Sequence, residues 1–221
     1  MNVNALLRLL QLSSPSLPIG AYAYSQGIES AVHSQIICDE TSALDWLNSV
    51  LINGLASNDL PLITHAYQSW QAQDLKSIKA LSQLSLAVRE TSELKEEDRH
   101  LAKALLRLAE PLELEYPLEI KTSASYPVVY AYFVQNWSIP LQDALLAFAC
   151  SWLKNQVEDM INLVLFGQTQ GQKLLLAMDK SLSSAVKKSL TVPVSRIGSS
   201  LPNLAILSSQ HEIQYSRLFR S

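Results

Sequence analysis

An all-α fold is predicted by three features of this sequence. Apolar residues recur at steps of three and four along most of the chain. Glycine is scarce, at 6 of 221 residues. The one segment that could be a strand has no second candidate to pair with. The steps matter because an α-helix turns once every 3.6 residues, so positions i, i+3 and i+4 share a face. With 48% hydrophobic residues the chain can bury one sizeable core. A single all-helical domain over residues 1–221 is the expectation for this length. The pattern predicts a compact bundle of roughly nine or ten helices.

The elements come in order. Leu44, Leu47, Leu51 and Leu55 line one face of a helix starting near Ser42, with Asp39 or Thr41 able to cap it. Pro61 closely follows Asp59, which fits a new helix with proline in its first turn. Leu75, Ile78 and Leu81 mark the next. Glu96, Glu97 and Asp98 cluster where the helix carrying Leu101, Leu105 and Leu108 is expected to begin, a placement that suits the helix dipole. The run Val128–Val134 is β-branched and aromatic enough for a strand, but it reads as helix because nothing could pair with it. Pro140 opens a long helix through Leu165, with Gly167 as its stop. A further helix is expected from about Thr169 to Lys188, its two terminal lysines suiting a C-terminus. Pro193 and Gly198 mark Thr191–Ser200 as a connector. The last helix is expected from about Pro202 to Phe219.

Composition narrows the function. Charged residues make up only 17% and the mean hydropathy is +0.10. So much apolar surface points to burial against a partner or a second copy. The net charge of −3 and the absence of a Lys/Arg run argue against nucleic-acid binding. Met1–Leu12 is apolar, but it is short and interrupted by Arg8, unlike a signal peptide. The best candidate for a membrane span, Leu141–Phe166, contains Asp143, Lys154, Glu158 and Asp159, so no membrane insertion is expected. Cys38 and Cys150, far apart and without a CxxC, are expected as buried reduced thiols of a cytoplasmic protein.

Catalytic patterns are missing. The segment Gly167-Gln-Thr-Gln-Gly171-Gln-Lys173 resembles a phosphate loop only superficially. That loop needs GxxxxGK[ST], so that consecutive amides cradle the phosphates and a hydroxyl holds magnesium. Here the glycines are one residue too close, and Leu174 follows the lysine. Ser92–Lys95 and Ser184–Lys187 match SxxK, as chance allows in a Ser-rich helical chain. The four histidines are dispersed. Glu29 and His33, one turn apart and followed by Cys38, could form at most a weak transient metal site. A polar helix face is the better reading, and no built-in metal centre or cofactor is expected.

Three other segments stand out. In the first, Ser13–Glu29, Pro15 and Pro18 stiffen a loop and Gly20 permits a tight approach to the helix behind it. If Tyr22, Gln26 and Glu29 are helical, their spacing puts them on one face, with Ser25 beside it. The second, Gly167–Gln172, holds three glutamines between apolar helices. The third is the ending His211–Ser221, where Tyr215, Leu218 and Phe219 mix with Arg217 and Arg220. Aromatic and arginine side chains of that kind anchor interfaces.

These segments carry a resemblance. "LLQLSSPSLPIGAYAYSQGIES" resembles the N-terminal signature of the UreF family of urease accessory proteins. "FGQTQGQKLL" is similar to their LGQxxGQ segment, and "LPNLAILSSQHEIQYSRLFRS" to their C-terminal ending. "RETSELKEEDRHLAKALLRLA" is similar to their central helix pair, and "SYPVVYAYF", more loosely, to the segment after that pair. Glu158 and Asp159 depart from the pattern, standing where small or apolar residues are expected. The resemblance implies an all-α, dimeric, non-enzymatic assembly factor. It implies binding of the accessory protein UreD (also called UreH) and of the GTPase UreG, and delivery of nickel to apo-urease, with UreF regulating the GTPase or coupling its hydrolysis to metal transfer. On this basis Pro18, Gly20, Tyr22, Ser25, Gln26, Glu29, Gly167, Gln168, Gly171 and Gln172 are candidate UreG contacts. His211, Glu212, Tyr215, Arg217, Leu218, Phe219 and Arg220 are candidate UreD contacts. A small helical hydrolase and a nickel-storing metallochaperone are the alternatives. The first lacks matched titratable groups, and the second is opposed by the scarcity of histidine.

Overall fold

The structure is a computed structural model that describes residues 1–220. Among these there is no strand, and the helices follow one another through short connections. Helix α1 spans Val3–Leu12 and is capped by the Asn2 side chain. After the loop 13–27 comes α2, Ile28–His33. Helix α3, Glu40–Ser49, starts at a capping box in which the Asp39 carboxylate accepts from the Ser42 amide. It runs on into a π-helical turn, Val50–Leu55. Helices α4 (Asp59–Gln71) and α5 (Leu75–Ala87) follow, then α6 (Ser92–Arg107), capped by Thr91. A single turn, α7 (Leu118–Lys121), precedes α8 (Tyr126–Asn136) and the long α9 (Leu141–Asn162). Helices α10 (Gln168–Ala177), α11 (Asp179–Ser189) and α12 (Pro202–Glu212) complete the set.

The ambiguous run is the middle of the protein. Every residue of α8 from Pro127 to Val134 is buried. A helix that is apolar all round belongs inside, and α8 packs against α4, α6, α5 and α9. Its β-branched and aromatic side chains therefore serve packing on all sides rather than a sheet. Trp70 of α4 donates to the Val128 carbonyl at 3.0 Å. It also packs edge-on against Tyr116 and Tyr132.

Several boundaries differ from the sequence expectation, each for a local reason. Helix α6 begins at Ser92, because Thr91 caps it. Glu97 and Asp98 therefore lie in the helix interior, where both are buried. They share a face with Leu101, Ala102 and Leu105, so they point into the core. The helix opened by Pro140 ends at Asn162, not Leu165, and Gly167 is the N-cap of α10 rather than a stop. The expected helix 169–188 is two helices, broken at buried Met178. With the single turn α7, this gives twelve α-helical segments among the described residues. The final helix stops at Glu212, and residues 213–220 fold back instead of continuing it. The thiols differ too: Cys38 is exposed and Cys150 half-buried, so neither is a core residue.

Candidate functional site

The N-terminal loop is not helical where Tyr22, Gln26 and Glu29 would need it to be. A 3₁₀ turn covers Ala21–Ala23, and α2 begins only at Ile28. Gly20 (φ 77°) and Gly27 (φ 85°) occupy left-handed backbone. At Gly27 a Cβ would also lie 3.0 Å from Leu204 Cδ1, so glycine lets α12 approach. The single face expected for the three side chains is therefore corrected: Tyr22 points to solvent at 69% exposure, while Glu29 is buried. Pro15 and Pro18 are on the loop surface, and Ser25 is buried beneath it.

Glu29 organises this region. Its Oε1 accepts from the Leu218 amide at 2.8 Å and from Gln214 Nε2 at 3.3 Å. Its Oε2 accepts from the Phe219 amide at 3.0 Å and faces His211 Nε2 at 3.2 Å. A buried carboxylate is tolerated only when donors surround it. Here the C-terminal segment supplies them, so the segment is ordered by the carboxylate and the carboxylate by the segment. The Arg220 amide then donates to the Ala23 carbonyl at 2.8 Å, closing the tail onto the N-terminal loop. On the far side Glu93 accepts from Arg217 at 2.8 Å and faces His211 Nδ1 at 2.9 Å. Glu212 bonds back to Ser92 and to the Glu93 amide. The N-terminal and C-terminal candidate residues, separate in sequence, thus form one surface. His211 and Phe219 are its buried pins, and Tyr22, Tyr215, Leu218, Arg217 and Arg220 are exposed.

Beneath the loop lies a polar layer of which the sequence motifs singled out only Gln26, expected there as a partner contact but half-buried and bonded internally. Gln26, at φ 51°, donates to Glu97 at 2.7 Å and accepts from the Trp152 indole at 2.9 Å, so it ties α6 to α9. Arg89 bridges Asp59 at 2.6 Å and Asp98 at 2.7 Å. Asp98 also accepts from Ser85 Oγ and from the Tyr126 amide, where α8 begins. Burial alone would pull the Arg89 pKa down, but the two carboxylates outweigh it and hold the guanidinium charged. Burial pushes the Glu97 carboxyl up to about 7. Burial, reinforced by Glu97, Glu158 and Glu29, pushes Asp159 up to about 8. Asp159 Oδ2 and Gln156 Oε1 are buried with no hydrogen-bond partner. A cavity of about 160 Å³ opens over this layer, lined by Leu17, Tyr24, Gln26, Arg89, Glu97 and Trp152 among others. One signal was available in the sequence: Glu97 and Asp98 precede Leu101 and Ala102 by one helical turn, which places them on the apolar face.

The glutamine segment lies elsewhere. Gly171 of α10 packs on α9, where a Cβ would sit 2.7 Å from Ile161 Cδ1 and 3.1 Å from Val157 Cγ1. Gln168 and Gln172 are exposed, and Gly167 donates its amide to Gln170. Glu29 and His33 do not form a metal site, since Glu29 is committed to the tail and His33 faces solvent. Among the described residues no group of three or more His, Cys, Asp or Glu side chains is placed to hold a metal ion. Nor is any helix among them long and apolar enough to cross a membrane.

A model of the UreF family matches residues 37–179. This chain belongs to the UreF family. The urease accessory protein UreF of Alkalilimnicola ehrlichii is 44% identical over 216 residues, covering 97% of this chain and 95% of that protein. The UreF of a Marinomonas species is 39% identical, covering 98% of this chain and 94% of its own, and that of Psychrobacter cryohalolentis is 40% identical with the same coverage. The UreF family model spans the helical core from Ile37 into the start of α11. The full-length relatives extend the likeness across the N-terminal loop and the tail that meet at Glu29.

Proposed function

We propose that this protein is a non-enzymatic assembly factor that acts with UreD (UreH) and the GTPase UreG to promote nickel insertion into apo-urease. In this reading it works in the cytoplasm as a homodimer, and nickel is cargo of the assembly rather than a resident cofactor. Membership of an accessory-protein family supports the class. The observation that carries the mechanism is the carboxylate of Glu29, which gathers tail and N-terminal loop into one surface. Exposed Tyr22, Tyr215 and Leu218, flanked by Arg217 and Arg220, are residue types that anchor interfaces once desolvated. The tail is the UreD-facing part and the loop the UreG-facing part. Because both hang on one buried group, occupation of one is felt by the other. Gln168 and Gln172 provide a separate exposed patch for UreG. The polar layer below serves as a brace: Asp59, Glu97 and Asp98 face the chain's own donors and hold α6, α8 and α9 in register.

The test is Glu29→Gln, which keeps the shape and removes the charge. A glutamine carbonyl cannot serve donors on both oxygens, and its amide would face the Phe219 amide or the Leu218 amide. Charge-assisted bonds of this kind are worth about 2 kcal/mol each, so the tail loosens while the helical core stays folded. The variant is expected to bind UreD and UreG poorly in co-purification and to activate urease weakly. Normal binding with normal activation would reject the role assigned to this surface.

A further inference from the structure

One buried acceptor lines the cavity of about 160 Å³ under the N-terminal loop. Gln156 of α9 is only 1% exposed. Its Nε2 donates to the Ser25 carbonyl at 3.4 Å, while its Oε1 meets no donor among the described residues. A buried carbonyl oxygen without a donor is costly, and the cavity is the side from which a donor can reach it. Two uncommon backbone conformations border the same space. Gln26, in the lining, sits in left-handed backbone at φ 51°. Val50, Gly54 and Leu55 line the cavity from the π-helical turn. Strained residues and π-turns of this kind gather at ligand sites.

The lining selects the chemistry of the ligand. Asp59, Glu90, Glu97 and Asp98 line the cavity against one cation, Arg89. Arg89 is already held by Asp59 at 2.6 Å and by Asp98 at 2.7 Å, so it does not serve an anion from outside. The excess of carboxyl groups favours a further positive charge. Burial has raised the Glu97 carboxyl to about 7, and its charged form gains from a cation brought beside it. Tyr24, Tyr126, Phe148 and Trp152 also line the space, and aromatic rings attract cations. Leu12, Leu17, Leu55, Leu101 and Leu204 add apolar wall. The volume admits a ligand of about six heavy atoms. A primary alkylammonium of about four carbons has that size, an apolar stem, a positive charge and an N–H for Gln156.

We propose that this cavity binds a primary alkylammonium group, whose N–H donates to Gln156 Oε1 and whose stem lies along the leucines under the loop. The same group ends a lysine side chain, so the occupant is a free amine or a lysine that a partner inserts. The site is built by this chain alone and stands whatever partners the loop and tail take. Leu17 and Ile19 bring the loop into the lining, so an occupant holds the loop down onto the helices.

The experiment titrates n-butylammonium chloride into the full chain at about pH 8, where Glu97 is mostly ionised. The Trp152 indole N–H, followed by NMR, should shift and saturate. n-Butanol has the same stem and a donor but no charge, and should bind about tenfold more weakly. Sodium butanoate should not bind. Gln156→Met keeps the volume and removes the carbonyl, and should weaken the amine about tenfold. Glu97→Gln keeps the shape and removes a charge, with a similar loss expected. The three probes on the unmodified chain decide the matter if neither variant folds. Nα-acetyl-lysine methylamide separates the two sources: affinity equal to that of butylammonium assigns the site to an inserted lysine, and affinity about tenfold lower assigns it to a free amine. A Trp152 signal that does not move with the amine would overturn the site. So would butanol or butanoate binding as tightly as the amine, or full affinity retained in either folded variant.

Discussion

Asp159→Asn should stabilise the protein, and by an amount that grows with pH. Asp159 is buried with Oδ2 unpartnered, and its carboxyl is pushed from the ordinary 3.8 up to about 8 by burial and by Glu97, Glu158 and Glu29. The folded form therefore binds a proton that the unfolded chain releases. The stability tied to this group is complete below pH 3.8 and is lost as pH rises to about 8. A shift of about four units at about 1.4 kcal/mol each sets a ceiling near 6 kcal/mol. The field is shared with Glu97 and Glu29, which adjust when one member changes, so about 2 kcal/mol at pH 8 is the expected gain. Asparagine keeps the volume and, like the protonated acid, carries one donor side and one acceptor side. For a chain of this size the gain corresponds to roughly 6 °C in Tm. Thermal and urea unfolding at about pH 4.5, 6 and 8 would measure it. The gain should be small at the lowest pH and largest at the highest. An equal gain at all three, or a loss at pH 8, would refute the assignment of Asp159 as a strained neutral acid.

Two further substitutions probe the brace and the α9–α10 contact. Arg89→Ala leaves Asp59 and Asp98 facing each other without their shared cation, and should cost about 3 kcal/mol in urea unfolding, the low end for a broken buried pair because Arg89 keeps some exposure. Gly171→Ala forces a Cβ against Ile161 and Val157 and should cost about 1 kcal/mol, recovered largely by adding Ile161→Val.

Much of the helical framework was legible in the sequence because it rests on short-range physics. The cap at Asp39, the proline in the first turn of α4 and the Pro140 start of α9 each act within one turn. The errors arose where a local rule met a tertiary demand. Glu97 and Asp98 looked like dipole-favouring residues at a helix start, yet they are interior because Gln26, Arg89 and the Tyr126 amide supply donors from other elements. Phe219 looked like the end of a helix, but its amide does better on a buried carboxylate 190 residues away than in a continued helical turn.

The sequence by itself determined the fold class, the helix order, the family, and the two chain ends as the unusual segments. Periodicity, proline placement and near-continuous similarity to relatives are all properties of the string. Only the tertiary structure decided that those two ends are one surface, since nothing in the spacing of Glu29, Glu93 and His211 announces that they meet. Nor could the string show which of its carboxylates find hydrogen-bond donors. That depends on which donors three-dimensional packing brings within about 3 Å of each, as it does for Glu29 and does not for the Oδ2 of Asp159.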